Sequence, residues 1–407
     1  AAGAAPGEGE ILVVAQRRAE RSQDVPVTVF AASGDLLADA NIQNVQEIGK
    51  LVTGVQLGRG ATAVMPFIRG VGTSQRSVPA ESSVAAYIDG VYVPRLNPAI
   101  LRLNSISSVE VLKGPQGTLF GRNSSGGLIH IVTKTPEPGA APEMKAELGY
   151  ANFDTISATG YGAASLTKSA AFDIAFSIYD QREGWGHNPV TDRDIYREKS
   201  VALRAKLVID AGASTRLILS GDYVDYDSSI GFLTSYRGRP QGYLTSGPLA
   251  QQVRPVTGFY DNEANNVNFA RMKIWGVSGR IEHEFPGVTL INTTSYRRSA
   301  NNYFVDADAS RVNAINLTFA DEIATSFFEE LLLQSDSGSK VDWSLGLFFG
   351  DIVGKFTPGY QSGALIDAGF GAGNTNVYFS RQKTRTIAAF GQATVPLGDS
   401  TRITAGG

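Results

Sequence analysis

The sequence predicts a mainly β protein. It is expected to be a transmembrane antiparallel β-barrel of about 22 strands when complete, with roughly the first 10 present and a small α+β domain in the lumen. Three observations lead there. The second half alternates apolar with small or polar residues over long runs, its short and long connections alternate strictly after a short first link near 151–153, and a compact stretch of mixed helix and strand grammar precedes it.

The alternation is read directly. Phe172, Ile174, Phe176 and Ile178 face one way against Asp173, Ala175, Ser177 and Tyr179. Val201, Leu203, Ala205, Leu207 and Ile209 oppose Arg204 and Lys206, and Val341, Trp343, Leu345, Leu347 and Phe349 oppose Asp342, Ser344, Gly346 and Phe348. Tight links fall near 166–170, 210–215, 286–287, 335–340 and 397–400, and long ones near 180–198, 228–270, 301–321 and 353–380. Membrane barrels keep this parity because their short turns share one side and their long loops the other; a soluble sandwich alternates over shorter strands and has no reason to keep it.

Size adds a constraint. A globule of ~120 residues is about 35 Å across. Ten tilted strands close to a cylinder of only ~20 Å, whereas twenty-two give ~44 Å. The chain is therefore expected to be the N-terminal part of a longer barrel, since an open sheet would leave two unpaired edges in lipid.

Composition excludes several classes. With 36 basic and 39 acidic residues the net charge is −3, so nucleic acid is not expected as a partner. Cysteine is absent, which removes disulfides, thiolate metal sites and thiol nucleophiles together. His130, His187 and His283 sit in no metal-binding pattern, and no carboxylate pair has diagnostic spacing. No cofactor, resident metal or enzymatic role is expected. No apolar run reaches the ~18 residues a spanning helix needs, a test that barrels escape. The chain starts at Ala1 without Met, so a signal peptide is expected to have been removed or omitted.

Residues 1–9 (AAGAAPGEG) read as a mobile tail. The next six (EILVVA, 10–15) form a β-prone run in polar surroundings, either a first strand or a peptide that a partner captures by strand addition. In the following globule Val25–Phe30 is a strand candidate, Ser33 caps one helix and Asn41 a second. Short strands are expected at Val84–Asp89, Val109–Leu112 and Leu128–Thr133.

The stretch KGPQGTLFGRNSSGGLIHIVTK (113–134) invites a catalytic reading. Phosphate cradling needs G-x-x-x-x-G-K-[ST], which is absent, and a nucleophile at Ser124 or Ser125 has only His130 as a local base. The glycines better suit tight turns and close backbone approach. Residues 109–134 closely resemble the last plug segment of TonB-dependent outer-membrane receptors. In the same order, residues 10–15 resemble the TonB box, FIRGVG (67–72) the plug's I-R-G motif, and VAAYIDGVYV (84–93) its Y-x-D-G-V strand.

That resemblance implies a mobile segment at 1–23 carrying the TonB box, a plug domain at 24–138, and the N-terminal part of the barrel at 139–407, its C-terminal strands missing. It implies active import of a scarce ligand across the bacterial outer membrane, by default a ferric siderophore. The alternatives are a non-iron nutrient (glycan, cobalamin or aromatic compound) and a passive or adhesive barrel with a lumen-filling plug. The implied partners are TonB with ExbB and ExbD, outer-membrane lipid and lipopolysaccharide, a small-molecule or chelate ligand, and a surface lipoprotein as an optional one. Glu10, Ile11, Leu12, Val13, Val14 and Ala15 are expected to bind TonB. Arg59, Gln75, Arg76, Tyr92 and Arg95 are expected at the plug apex toward ligand, and Arg69 and Lys113 at the plug–barrel contact. The family usually has Arg at Lys113, so a single-point contact is expected there; it often has Asn at His130.

Overall fold

The computed structural model describes residues 12–13, 18, 20–21, 27–42, 44–59, 64–73, 81–94, 96, 102, 105–229, 258, 260–336, 339–398 and 401–407. A two-stranded hairpin comes first, β1 (Leu12–Val13) with β2 (Glu20–Arg21). The globule then runs β3 (Thr28–Ser33), α1 (Gly34–Asp39), α2 (Ile48–Leu51), β4 (Val55–Arg59), β5 (Val64–Ile68), β6 (Val71–Gly72), β7 (Val84–Ile88), β8 (Val91–Tyr92), β9 (Ile106–Lys113), α3 (Gly117–Phe120) and β10 (Gly127–Thr133). Five strands form a mixed sheet in the order β3-β9-β10-β7-β8, with β10 parallel to β7, and β4-β5-β6 form a second sheet.

Local chemistry explains the starts and stops. Ser33 accepts from the Leu36 amide at 3.2 Å and caps α1, as expected. The second cap is Asn44 rather than Asn41: Asn44 accepts from the Glu47 amide at 3.2 Å and caps the 3-10 turn Val45–Glu47 that leads into α2, while Asn41, at φ +51, ends the turn after α1. The I-R-G and D-G motifs prove to be the same device. Arg69-Gly70 (φ +52 and +80) joins β5 to β6, and Asp89-Gly90 (φ +49 and +80) joins β7 to β8. Each is a two-residue hairpin with both central residues at positive φ, the turn whose twist matches paired strands. The β4-β5-β6 sheet was not legible as strands in the sequence.

The second half is one antiparallel sheet of 11 strands in chain order. They are β11 (Glu143–Ala151), β12 (Thr155–Thr167), β13 (Ala170–Gln181), β16 (Arg197–Asp210), β17 (Thr215–Ser229), β18 (Phe269–Phe285), β19 (Val288–Asp306), β20 (Asn316–Ser335), β21 (Asp342–Ser362), β22 (Asn376–Pro396) and β23 (Arg402–Gly406). A separate hairpin, β14 (Gly186–Asn188) with β15 (Arg193–Ile195), sits in the link after β13, and α4 (Ala364–Phe370) in the link after β21. The expected parity holds after the first link: the short turn 152–154 between β11 and β12 sits at the end where every later link is long, and from there short and long alternate. The long links are narrower than expected, because β19 runs on to Asp306, β20 starts at Asn316 and β21 reaches Ser362.

Register gives the two faces. Along β13 and β16, Phe176 pairs with Leu203 and Ile178 with Val201, and all four are exposed. The same outward face carries Tyr223, Trp275, Tyr296 and Phe327 on the next four strands, Tyr296 lying diagonally from Trp275 with ring centroids 5.5 Å apart. This apolar belt suits lipid. The opposite face meets the globule: Tyr161, Ala175, Ala202, Val224, Tyr226 and Met272 join its core with Ile48, Val109, Ile129 and Ile131. Phe328 and Ile352 join a second cluster with Tyr87, Leu112 and Phe120. The globule therefore packs on the inward face of strands from β12 to β21. Among the described residues no helix is long and apolar enough to cross a membrane, which says nothing of strands.

Candidate functional site: the seam between globule and barrel

Inside the wide sheet the chemistry lies where the globule meets the strands, and three polar stations hold that seam. The first is built on the β7–β8 turn. Asp89 is ion-paired to Arg204 of β16 and lies 3.3 Å from Lys206 Nζ. The Thr133 amide and hydroxyl each donate to the same carboxylate at 2.7 Å. Lys206 also donates to the Lys134 carbonyl at 2.8 Å and to the Thr133 and Thr135 hydroxyls at 2.9 and 3.0 Å. Behind Arg204, Asp222 accepts a forked pair of bonds from Arg297 at 2.6 and 2.8 Å. Burial alone would raise the Asp89 pKa, but Arg204, Lys206 and the Thr133 donors outweigh it and hold the carboxyl well below the usual range.

The second station is Arg102. It donates to Ser200 at 2.8 Å, pairs with Glu198 at 2.5 Å and lies over the Tyr179 ring at 3.9 Å. The third is the glycine-rich stretch. Arg122 contacts Glu81 and the Thr386 hydroxyl of β22, and Asn123 contacts Glu81 and donates to the Tyr92 hydroxyl at 2.8 Å. Close approach explains its glycines: a Cβ on Gly127 would lie 2.4 Å from the Leu112 carbonyl oxygen. At the short-turn end, Arg216 pairs with Glu137 at 2.7 Å, and Arg18 donates to the Trp343 carbonyl at 2.7 Å.

The expected site residues fall out unevenly. Leu12 pairs with Arg21 and Val13 with Glu20, while Glu10, Ile11, Val14 and Ala15 lie outside the described residues. So do Gln75, Arg76 and Arg95; of Arg59 only its place in β4 is described. Tyr92 is packed rather than presented: it is 5% exposed, its ring meets Phe328 of β20 edge-on at 5.3 Å, and burial followed by the Glu81 charge pushes its phenol pKa up. Lys113 reaches across the globule, donating to the Thr53 carbonyl at 2.9 Å, because the β9 end points its side chain toward the turn before β4. Arg69 is exposed in its hairpin loop. Among the described residues the seam is made instead by Asp89, Arg102, Arg122, Arg204 and Lys206. Arg204 and Lys206 carried a signal, being charged residues on the inward parity of an apolar strand; Arg102 carried none.

Comparison with known proteins decides the family. A profile described as the TonB-dependent Receptor Plug Domain matches residues 21–128. The pesticin receptor of Yersinia pestis is 31% identical over 152 residues, covering 36% of this chain and 22% of that one. Residues 21–128 carry the plug domain of the TonB-dependent receptors. The probable TonB-dependent siderophore receptor PiuA of Acinetobacter baumannii is 26% identical over 301 residues, 71% of this chain and 37% of that one. The structure of the ferric yersiniabactin uptake receptor FyuA from Yersinia pestis superimposes with a TM-score of 0.68 at 14% identity, covering 93% of this chain and 64% of that one. The receptor chain thus spans less than two thirds of these relatives. The globule is a plug and the sheet part of an outer-membrane barrel, so the short-turn end is periplasmic and the long-link end extracellular.

Proposed function

We propose that this chain is the plug and leading barrel strands of a receptor that imports a scarce ligand across the outer membrane, driven by TonB with ExbB and ExbD. The ligand class we favour is a ferric siderophore, supported by relatives named as a siderophore receptor and as a ferric yersiniabactin uptake receptor. The observation that carries the reading is a plug packed on the inward face of the strands and joined to them by ion pairs and hydrogen bonds. Such contacts close a lumen yet break one by one under load.

In this reading residues 10–15 are the handle. A β-prone segment pairs edge to edge with a partner strand, and pairing loaded along its length resists pulling. Here Leu12 and Val13 already pair with β2, so TonB takes over a strand edge that the chain itself now occupies. Arg59, Gln75, Arg76 and Arg95 remain our candidates for ligand contact. Tyr92 supports the apex from below through Asn123 and Phe328.

The test is deletion of residues 10–15 in the full-length receptor. Uptake should be lost while surface binding of the ligand persists; unchanged uptake would rule out coupling to TonB. Growth of a receptor-deletion strain on candidate nutrients, with and without iron limitation, separates ferric siderophores from a non-iron nutrient.

A further inference from the structure

The Asp89-Gly90 turn is tied back to β10 at two successive amides. The Asp89 N–H donates to the Ile131 carbonyl at 3.0 Å, and the Gly90 N–H donates to Nε2 of His130 at 3.1 Å. A ring nitrogen that accepts carries no proton, so the His130 proton sits on Nδ1, facing Glu110 Oε2 at 3.4 Å. Both side chains are buried, with Glu110 only 1% exposed. The same turn presents Asp89 to Arg204 and Lys206.

Beside it lies a cavity of about 220 Å³ between plug and wall, lined by His130 and Gly90 on the plug and by Lys206, Arg280, Glu282 and Glu330 on β16, β18 and β20. A Cβ on Gly90 would stand 3.6 Å from Arg280 Nη1, so the turn abuts the wall there.

We propose that His130 is the positioning residue of the Asp89 lock: its acceptor nitrogen holds the turn, and a proton on that nitrogen frees the turn to move into the adjoining cavity. Protonation turns the Gly90 N–H···Nε2 bond into two donors facing each other. The charged groups around His130 are Glu110 on β9, Asp89 in the turn, Arg204 and Lys206 on β16, Arg280 and Glu282 on β18, and Glu330 on β20. Glu110, Asp89, Glu282 and Glu330 favour the added charge, whereas Lys206, Arg204 and Arg280 oppose it. The lock itself does not titrate in the same window, because Asp89 stays ionised well below neutrality. A loosening of the turn on mild acidification that His130→Gln abolishes is therefore the mark of a proton on Nε2. The inference rests on the import reading only for its use, since its readouts need neither ligand nor TonB.

Two measurements on the full-length receptor test it. In the native protein, solid-state nitrogen NMR of labelled histidine should find His130 protonated on Nδ1 alone at pH 8; a proton on Nε2 overturns the proposal. Protection of the Gly90 amide against hydrogen exchange, corrected for the intrinsic rate, should fall about three- to tenfold from pH 8 to pH 5. In His130→Gln, whose amide oxygen accepts without titrating, it should stay constant. An equal fall in the variant, or a flat native profile, overturns the proposal. Should the variant not fold, the native tautomer and native pH profile still decide.

Discussion

Asp89 shows how much one plug carboxylate can hold. It faces two barrel cations and accepts from both polar groups of Thr133, so removing its charge leaves Arg204 to Asp222 at 3.9 Å and Lys206 to neutral oxygens. Asp89→Asn should destabilise the seated plug by roughly 3 kcal/mol or more, the cost of leaving buried charge unpaired. The check is the denaturant midpoint for plug release from the full-length barrel. The pH sign follows from the direction of the shift. A carboxyl whose folded pKa is depressed contributes stability that is fully present above its ordinary value and is lost as pH falls through the folded value. The Asp89 charge itself should persist on acidification to about pH 4, the ordinary carboxylate value, so any loosening of this contact at milder pH comes from another group and not from this carboxyl. Gly127 is a different single-residue constraint: at φ +137, with Leu112 backbone in the place of a Cβ, Gly127→Ala should cost roughly 2–4 kcal/mol in plug thermal stability.

The paired turns make a sharper forecast for elements. Arg69 occupies a left-handed position that costs most residues ~1 kcal/mol and that Asn tolerates. Arg69→Asn should leave plug stability unchanged or raise it by about 0.5–1 kcal/mol, read from thermal unfolding; a clear loss would mean that Arg69 has a partner on the barrel. These turns also mark what the sequence could say. Motif spacing located the D-G and I-R-G stretches, and alternation located β13, β16 and β21, because those signals are local and periodic. The β4–β5 pair stayed hidden because Pro66 and Gly58 sit within it and argue against strands. The partner of Lys113 was equally hidden, since Thr53 lies 60 residues away and only the packed plug brings its carbonyl into reach. Asn44 displaced Asn41 as a cap because two equivalent residues preceded the same short helical run, and sequence alone does not rank them.

At the scale of the whole molecule the outward belt is the testable feature. Leu347 on β21 is 57% exposed with Leu331 beside it on the next strand. Leu347→Arg should destabilise the barrel by about 2–4 kcal/mol if that row lies at the bilayer midplane, and less toward either interface. Ser326 on the inward face of β20, 4% exposed, is the internal control, where Ser326→Ala removes one hydroxyl and should be far milder. The comparison is read from heat-modifiability on gels or from denaturant midpoints in lipid. Barrel class, strand parity and inward charges were all visible in the sequence at this scale, because lipid and lumen impose opposite demands on alternate residues.

The lengths of β20, β21 and β22 carry a last implication. Strands of 20 and 21 residues, tilted as barrel strands are, rise roughly 50 Å, about twice the ~25 Å apolar band. Half of each therefore stands clear of the bilayer as a hydrogen-bonded palisade. Whatever arrives from the medium, nutrient or antibody alike, first meets a stiff fence whose crest is fixed in height, and the loops along the top are fringe on a rigid collar.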